Sequence, residues 1–444
     1  MAYSHSNGKR LVVDPALFPA LCTCGREHPR VNVLQYTGTD AYEALAQDAA
    51  QTLGRDSLLL LDDGNTHEAA GARIGSLLTE RRVEHEVLTL ARGIHATEAL
   101  ADEVRAAAQK HGLIVAVGAG TVNDLGKYAG AKLSLPYWSA PTAPSMNGFT
   151  SSIAAISVAG VKRTLPAPPP QNIYADPEVI RRAPARLIQA GYCDIMAKSV
   201  SDVDWQLDSL LFGGTYCALS TGIVARTEAG YADKPSDLRR GDAETVMGLF
   251  HGLLASGLAM SLAGSSAPAS GGEHLISHFL DMREPFTGRE PELHGLQVAL
   301  GILISAACYT RLAVLKPERL GADPRPIYEA AARDTAPLWG DIAPEVLERF
   351  DLKREQLMSM PQRLQTNWPR VRDLCRRVRP AGHYLELFQQ TGLEMSLESL
   401  RVPRDEFMRA ALLARTIRER ITVLDLAAQG SVLEEAAEEV AGML

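Results

Sequence analysis

The chain has 444 residues, of which 46% are hydrophobic and 22% are charged, and its formal net charge is -8 at pH 7. This length and composition predict a globular protein of two or three domains, and the acidic balance excludes a broad nucleic-acid surface, which requires clustered Lys and Arg. No secretory signal and no apolar run long enough to span a membrane is recognised, so we expect a cytoplasmic protein without membrane insertion.

The six cysteines are too few and too irregularly spaced for a disulfide framework, so we expect free thiols. Near the N-terminus, Cys22 and Cys24 could hold zinc together with His28. A fourth ligand is missing, however, and the Cys-x-Cys spacing is shorter than most structural sites use. A loop with incidental thiols is the alternative.

Strands and helices alternate from about residue 31 to residue 165. Short, fully apolar runs separated by amphipathic helices predict a parallel sheet that is covered on both faces. The predicted strands are 31–34, 57–61, 85–90 and 113–117, and the predicted helices are 42–53, 67–80 and 96–111. We therefore assign residues 1–180 to an α/β dinucleotide-binding domain.

Long helical patterns begin after Asp176 and Pro177, at 184–201, 204–231, 243–263 and 294–315. Residues 181–444 are accordingly predicted as an all-α C-terminal domain. Its last part, from about residue 336, has no pattern typical of a catalytic site. Dimerisation through that part is a hypothesis.

Two turns follow predicted strands of the first domain. Residues 118–124 (GAGTVND) open a helix, so their N–H groups could bind a pyrophosphate. They lack the third glycine of Gly-x-Gly-x-x-Gly, and a tight turn without a ligand is the alternative. Asp63 follows the strand 57–61, where carboxylates commonly bind ribose hydroxyls, and an Asp-Gly turn is the alternative.

Residues 139–151 are predicted as a loop, rich in small hydroxyl residues and prolines. Few of its side chains are large and apolar. Such a composition suits either contact with a ligand or a plain connection.

One Asp and two His are candidates for a divalent metal site. Asp194 lies on a mostly apolar predicted helix, where a carboxylate is costly unless paired with Lys198, four residues on, or bound to metal. His274 and His278 are also four residues apart, so a helix places both imidazoles on one face; two buried or solvated histidines are the alternative. One Asp and two His would leave open positions on a metal, and such a set suits Zn²⁺ or Fe²⁺ acting as a Lewis acid.

Five motifs in order, spread over about residues 20 to 310, resemble the sn-glycerol-1-phosphate dehydrogenase family. This family belongs to the superfamily of iron-containing alcohol dehydrogenases and dehydroquinate synthases. The motifs are 118–127, 141–148, 191–198 with 204–205, 270–278, and 294–295. The resemblance implies reversible hydride transfer between NAD(P)H and the small phosphorylated substrate dihydroxyacetone phosphate, whose ketone oxygen a metal polarises.

The resemblance also implies roles for individual residues. Asp194, His274 and His294 hold the metal, expected to be zinc with iron or nickel as alternatives. His278 faces the substrate and relays a proton. Lys162 and Arg163 are candidates for the substrate phosphate, or belong to a solvated hairpin turn. The residues expected to bind the cofactor are Gly118, Ala119, Gly120, Thr121, Val122 and Asp124 at the pyrophosphate, Asp63 at the adenosine ribose, and Thr142, Ser145 and Ser151 at the nicotinamide.

One catalytic position departs from the family pattern. Where members usually carry Asp in a Ser-x-Asp-Gly stretch that contacts substrate, this chain has Asn147. An amide donates as well as accepts hydrogen bonds but carries no charge. A different polyol, phosphorylated or not, is therefore an alternative substrate, and both NAD and NADP are candidates for the cofactor.

Two other functions fit part of the pattern. A sugar-phosphate cyclase like dehydroquinate synthase uses the same metal and uses NAD transiently, but it requires a denser basic pocket than this sequence shows. A binding protein without activity would keep the fold, which the joint presence of Asp194, His274 and His294 argues against. A homo-oligomer, a dimer or larger, is expected.

Overall fold

The computed structural model describes residues 22, 24–26, 28, 29, 31, 33–159, 161–290 and 292–444, together with the backbone of 4–6 and 10–12. The chain divides into two compact units. The first comprises Met1–Ile195 and Ala218–Ser265, and the second comprises Met196–Cys217 and Ser266–Leu444. The domains expected from the sequence, 1–180 and 181–444, stay a prediction.

An eight-stranded sheet organises the first unit, with strand order β1-β2-β3-β10-β7-β6-β4-β5. The six strands from β3 to β5 in this order are parallel, and β2 and β1 extend the edge antiparallel. A separate hairpin pairs β8 with β9. The strands are β1 (Ser4–Ser6), β2 (Arg10–Val12), β3 (Leu34–Thr37), β4 (Leu58–Asp63), β5 (His85–Leu90), β6 (Leu113–Gly118), β7 (Tyr137–Pro141), β8 (Ile153–Val158), β9 (Val161–Pro166) and β10 (Asn172–Ala175).

The apolar run in β4 shows why the sheet is covered on both faces. Leu58 and Leu60 point to one side and pack with residues of α1 (Ala41–Leu53) and α3 (Ala72–Glu80). Leu59 and Leu61 point to the other side and pack with residues of α4 (Glu98–Ala108) and α5 (Gly120–Leu133). The predicted α/β class with a parallel sheet is therefore confirmed.

Several predicted elements differ from the structure. The predicted helix 204–231 is divided, because one helix ends at Phe212 and the next spans Ala218–Ala225. The predicted first strand, 31–34, begins instead at Leu34, and Asn32 lies outside the described residues. The predicted loop 139–151 gives its first three residues to β7. The predicted helix 184–201 is interrupted at Ala197, so Asp194 and Lys198 are not on one continuous helix.

Helices and loops make up all described residues beyond Ala175, which confirms the predicted all-α character of the C-terminal part. A short helix, α2 (Gly64–Thr66), joins α3 through a π-helical turn, His67–Gly71. The later helices are α6 (Pro177–Arg181), α7 (Ala185–Met196), α8 (Lys198–Phe212), α9 (Ala218–Ala225), α10 (Pro235–Arg240), α11 (Ala243–Ala263), α12 (Gly272–Thr287), α13 (His294–Val314), α14 (Pro324–Thr335), α15 (Ala343–Asp351), α16 (Arg354–Cys375), α17 (Ala381–Gln390), α18 (Arg404–Leu413), α19 (Val423–Gln429) and α20 (Leu433–Met443).

Two helices, α11 and α13, differ from the expectation that no apolar run is long enough to span a membrane. Both have the length and hydropathy of a membrane-spanning helix, yet 78% of the most apolar window of each is buried inside the protein. Burial of this extent is typical of core helices, whose apolar residues pack against the rest of the chain.

Candidate functional site

The carboxyl ends of three adjacent parallel strands lie in one row. β4 pairs with β6, which sets Leu61 beside Ala116. β6 pairs with β7, which sets Gly118 beside Pro141. Two residues beyond Leu61, Asp63 is therefore level with Gly118. The chain leaves β4 for the outer strand β5 and returns to β6 on the other side of β4, and ligands of α/β proteins bind at such a reversal.

The predicted glycine turn lies at this row, between β6 and α5. Ala119 is the N-cap residue, and no side chain among the described residues caps the helix. The N–H groups of Gly120, Thr121 and Val122 therefore point out of the helix end, where they and the helix dipole suit a phosphate. A Cβ on Gly118 would lie 2.7 Å from Cβ of Val122, so this turn requires glycine.

Close packing of α5 on the sheet depends on Gly126, which the sequence analysis did not single out. A Cβ there would lie 3.0 Å from Cβ of Ala116 and 3.0 Å from Cε2 of Tyr137. Gly126 thus serves the packing role of the third glycine in Gly-x-Gly-x-x-Gly turns. On the same helix, Asp124 accepts the backbone N–H of Ala155 at 3.0 Å. That predicted cofactor-binding carboxylate therefore joins α5 to β8.

Asp63 caps the helix that follows β4. Its Oδ1 accepts the backbone N–H groups of Asn65 and Thr66 at 2.8 and 2.9 Å. One carboxylate oxygen therefore stabilises the Asp-Gly turn, which was the alternative to ribose binding in the sequence analysis. The side chain is half-buried at the carboxyl edge of the sheet. Its contact with ribose stays a prediction.

Lys127 organises the loop that follows β7. Its buried ammonium donates to the carbonyls of Gly148, Ser151 and Ile153 at 2.7, 3.3 and 2.6 Å, and to Oγ of Ser151 at 3.2 Å. The carboxylate of Asp124 lies 3.8 Å away. Burial lowers the pKa of Lys127 to about 8, although Asp124 favours the charged form. The lysine of the glycine motif thus faces loop carbonyls.

Three residues expected near the nicotinamide lie in or beside this loop. Thr142 and Ser151 are buried, and Ser145 is half-buried. Oγ of Ser151 donates to the carbonyl of Gly148 in the loop at 2.9 Å and to that of Ile153 at the start of β8 at 3.0 Å. The backbone N–H of Thr142 donates to the carbonyl of Gly118 at 3.3 Å, which joins the loop to the glycine turn. Their contacts with a cofactor stay predictions.

Replacing Lys127 tests its role in the loop. We expect Lys127→Met to lower the free energy of unfolding by about 2–4 kcal/mol, because three backbone carbonyls lose a buried, charged donor. Urea denaturation measures this loss. Lys132→Met, at an exposed position of the same helix, is the control and should change stability by less than about 0.5 kcal/mol. Equal losses in the two variants would contradict the assignment.

The same lysine predicts a pH dependence. Its folded pKa of about 8 lies below the value of about 10.4 for an exposed lysine. The unfolded chain therefore binds more protons between these two pH values, and the contribution of Lys127 to stability rises as the pH rises. We expect the free energy of unfolding of the wild type to increase relative to that of Lys127→Met from about pH 7.5 to pH 9.5. A relative decrease over this range would refute the prediction.

Asp194 lies near the end of α7, and its side chain is only 1% exposed. Its Oδ2 accepts the backbone N–H of Asn147 at 2.8 Å, and its Oδ1 accepts Nδ2 of the same residue at 3.4 Å. A Cβ on Gly191 would lie 1.7 Å from the carbonyl oxygen of Pro144, so glycine lets α7 approach the loop this closely. Asn147 thus places a neutral amide beside Asp194, where an aspartate would place a second carboxylate.

Three histidines cluster in the second unit, at α12 and the start of α13. The ring centroids lie 5.1 Å apart for His274 and His294, 5.8 Å for His278 and His294, and 6.1 Å for His274 and His278. Ligand atoms of His274 and His294 lie within 4.8 Å of each other. The structure therefore brings the two predicted histidine ligands together, with His278 beside them.

Two hydrogen bonds orient the predicted ligand rings. Nδ1 of His274 contacts Oε1 of Glu273 at 2.9 Å, and Nδ1 of His294 contacts Oγ of Ser277 at 2.9 Å. Ser277 donates its own hydroxyl to Oε1 of Gln297 at 3.0 Å, so it accepts from His294. Each ring then carries its proton on Nδ1 and a lone pair on Nε2. Histidines that bind metals commonly donate their second N–H in this way.

The helices α12 and α13 pack closely because Gly301 has no side chain. A Cβ there would lie 2.1 Å from the carbonyl oxygen of Glu273, the residue before His274. Gly301 is seven residues after His294, so both lie on the same face of α13. The separation of the two histidine ligands therefore depends on this glycine.

A buried carboxylate fixes the start of α12. Asp204, on α8, accepts the backbone N–H of Gly272 at 2.6 Å and the hydroxyl of Tyr309. A Cβ on Gly271 would lie 2.4 Å from Oδ2 of Asp204, so the turn before α12 requires glycine. Burial, and next the charge of Glu273, raises the pKa of Asp204 to about 7. In the sequence, Asp204 is noticeable only as part of the motif 191–198 with 204–205.

Lys162 and Arg163, the candidates for binding a substrate phosphate, lie in β9. Both are half-buried and pair across the hairpin with residues of β8. The charge of Lys162 acts to lower the pKa of Asp124, although burial of Asp124 has the larger, opposite effect. Lys162 therefore lies within electrostatic reach of α5, and its contact with phosphate stays a prediction.

Comparison with known proteins identifies relatives of this chain. The family model for iron-containing alcohol dehydrogenase matches residues 37–184. A glycerol-1-phosphate dehydrogenase [NAD(P)+] of Bacillus licheniformis is 30% identical over 66% of this chain and 74% of its own length. The enzyme of the same name from Halalkalibacterium halodurans is 31% identical over 70% and 79%. That from Pyrococcus furiosus is 33% identical over 58% and 73%.

Solved structures share the fold. Glycerol dehydrogenase from Schizosaccharomyces pombe superposes with a TM-score of 0.57 at 18% identity, covering 92% of this chain and 90% of that one. NADH-dependent butanol dehydrogenase A from Thermotoga maritima gives 0.56 at 14% identity, covering 93% and 98%. At these identities the likeness establishes the architecture alone.

Proposed function

Because the chain belongs to the glycerol-1-phosphate dehydrogenase family, we propose that it reduces dihydroxyacetone phosphate to sn-glycerol 1-phosphate with NAD(P)H and a divalent metal. The observation that carries most weight is the orientation of His274 and His294, whose Nδ1 atoms are both engaged in hydrogen bonds. Histidines that bind a metal through Nε2 commonly donate the N–H of Nδ1 in this way, so the arrangement supports metal binding.

We propose that Asp194, His274 and His294 hold this metal. The donor set fits, since two imidazoles present Nε2 lone pairs and a buried carboxylate supplies negative charge. Zinc is the metal we favour, and iron and nickel accept the same ligands. A metal bound there polarises the ketone oxygen of the substrate, while the cofactor supplies hydride.

The remaining residues bind and protonate the substrate. We assign His278 to protonation of the product alkoxide, which gives the hydroxyl, because its ring lies beside that of His294 and is half-buried. Asn147, held beside Asp194, offers an amide to a substrate hydroxyl. Lys162 and Arg163 supply positive charge for the phosphate.

The cofactor is assigned to the carboxyl edge of the sheet. Its pyrophosphate binds the open N–H groups of Gly120, Thr121 and Val122, and its adenosine ribose meets Asp63. The strand reversal between β4 and β6 supports this placement. We further propose that the protein is a cytoplasmic homo-oligomer and that its cofactor is NAD or NADP.

A second candidate substrate is favoured by Asn147. The family carboxylate is replaced by an uncharged amide, which changes the hydroxyl pattern that binds best, so an unphosphorylated polyol or another phosphorylated ketone fits this position as well. A cyclase is not favoured, because the relatives that match most of this chain are named as dehydrogenases.

Oxidation of NADH by the zinc-supplemented protein tests the proposal. We expect turnover with dihydroxyacetone phosphate, and a kcat/KM at least about a hundredfold above that for dihydroxyacetone, because a phosphate dianion gains charge-assisted hydrogen bonds. A preference for dihydroxyacetone would favour the second candidate. Release of inorganic phosphate without net NADH oxidation would indicate a cyclase and overturn the proposal.

A further inference from the structure

Cys22, Cys24 and His28 form a cluster in the first unit that the proposed function does not use. Sγ of Cys24 lies 3.6 Å from Nε2 of His28, and the ligand atoms of the three side chains all lie within 4.8 Å of one another. Gly25 closes the turn between them, since its N–H donates to the carbonyl of Cys22 at 2.9 Å and its φ is +75°. A left-handed residue of this kind favours glycine.

A backbone contact orients the imidazole of the cluster. Nδ1 of His28 contacts the carbonyl oxygen of Leu262 at 2.7 Å, near the end of α11. A carbonyl only accepts, so Nδ1 carries the proton and Nε2 presents its lone pair toward Cys24. This orientation is the one that the predicted metal-binding histidines adopt in the second unit.

The helix α9 runs antiparallel to α11 within the same unit. Oγ of Ser220 in α9 donates to the carbonyl of Ala259 in α11 at 2.6 Å. Further along the chain, a Cβ on Gly248 of α11 would lie 2.6 Å from the carbonyl oxygen of Gly230. Going from Ser220 to Gly230 along the chain, the residue faced in α11 changes from Ala259 back to Gly248. The two segments therefore run antiparallel.

This register carries a further cysteine to the same place. Cys217 immediately precedes α9 and is three residues before Ser220. Leu262, whose carbonyl holds His28, is three residues after Ala259. In an antiparallel pair, three residues back along one helix corresponds to three residues forward along the other, so Cys217 and Leu262 lie at the same level. Cys217, which is buried, is therefore level with the turn of α11 that holds His28.

We propose that Cys22, Cys24, His28 and Cys217 bind a structural zinc ion. Three thiolates and one imidazole form the Cys₃His set of closed, tetrahedral zinc sites, in which no position is left open for substrate. The sequence had offered three ligands and no fourth. The fourth comes from a residue nearly two hundred positions away along the chain, beyond the reach of any local motif.

The zinc ion would fasten the N-terminal segment to the end of α11. That helix also holds the loop after β7, because Oγ1 of Thr150 donates to the carbonyl of Leu254 at 2.6 Å and Oγ of Ser261 donates to the carbonyl of Thr150 at 2.8 Å. We therefore assign the ion a structural role that supports the nucleotide-binding unit.

Measuring the metal content of variants distinguishes this site from the proposed catalytic site, which has no sulfur ligand. We expect two zinc ions per chain in the full-length wild type, one in His274→Ala, one in Cys217→Ala and none in the double variant, which combines His274→Ala with Cys217→Ala. The control is Cys375→Ala, a buried cysteine of α16, which should keep both ions. Chelation should lower the thermal unfolding midpoint of His274→Ala and leave that of the double variant unchanged.

Zinc-edge X-ray absorption of His274→Ala decides the ligand set without altering any cysteine. Three sulfur ligands at about 2.3 Å and one nitrogen at about 2.0 Å are expected. Replacement of the zinc by cobalt should give sulfur-to-cobalt charge-transfer absorption in His274→Ala, and this band should be lost in the double variant. A zinc shell without sulfur, or full zinc retention in a folded Cys217→Ala, would overturn the proposal, whatever the dehydrogenase activity.

Discussion

His274→Ala is expected to lower kcat/KM for ketone reduction by at least about a thousandfold, equivalent to about 4 kcal/mol of transition-state stabilisation. The ring it removes has Nδ1 fixed by Glu273 and lies within 4.8 Å of a ligand atom of His294. Its loss leaves an incomplete donor set for a metal whose task is to stabilise charge on the ketone oxygen. Steady-state kinetics and metal analysis of the same preparation measure both effects.

His383→Ala provides the matched control for that variant. His383 is an exposed residue of α17 in the same unit, so its replacement should change neither the metal content nor kcat/KM. If His274→Ala kept wild-type activity and metal content, the metal would have to lie elsewhere. Loss of one metal ion per chain in His274→Ala alone is the expected pattern.

Gly301→Ala is expected to damage both stability and metal binding. The added Cβ would lie 2.1 Å from a backbone oxygen of α12, and neither backbone can move without separating the two helices. Overpacking of this kind costs about 1–3 kcal/mol or more. Separation of α12 from α13 would also draw His274 away from His294. Urea denaturation and a zinc titration of the purified variant measure the two losses.

Gly382→Ala in α17 controls for the chemistry of the substitution. No heavy atom lies within 4 Å of a Cβ at this helical position, so alanine should be neutral or stabilise the chain by up to about 1 kcal/mol. A Gly301→Ala protein as stable as this control, with unchanged zinc affinity, would show that α12 and α13 tolerate a wider crossing.

The regular part of the fold was accessible from sequence because burial leaves a periodic signal. The continuous leucines of β4 predicted a strand covered on both faces, and its alternate residues do pack into different clusters. The strands β8 and β9 were not predicted, although a hairpin turn was the alternative interpretation of Lys162 and Arg163. β9 carries Lys162 and Arg163 and shows neither alternation nor a continuous apolar run. In β8 the apolar run includes the small residues Ala154 and Ala155, which are weak strand formers.

The metal ligands of the candidate site were predictable from the sequence, whereas the residues that hold the surrounding loop and helix in place were less so. His274 and His294 stand in recognisable motifs, and the structure brings them together. The hydrogen-bond partners of Lys127 could not be predicted from the spacing of residue types, because its four hydrogen bonds go mainly to backbone carbonyls, which every residue has. The contacts of Asp204 with α12 likewise join residues far apart in sequence, which one sequence without a fold does not reveal.

The interleaving of the two units along the chain has a consequence for protein synthesis. The first unit needs residues as late as Ser265, while Met196–Cys217, which belong to the second unit, leave the ribosome earlier. The ribosome adds about 5–20 residues per second. The strands of the nucleotide-binding sheet are therefore synthesised several seconds before α9 and α11, and α8 is likewise synthesised before the helices that it packs against. A nascent chain halted between these points would expose unpaired apolar faces of both units, and chaperones would be expected to bind it there.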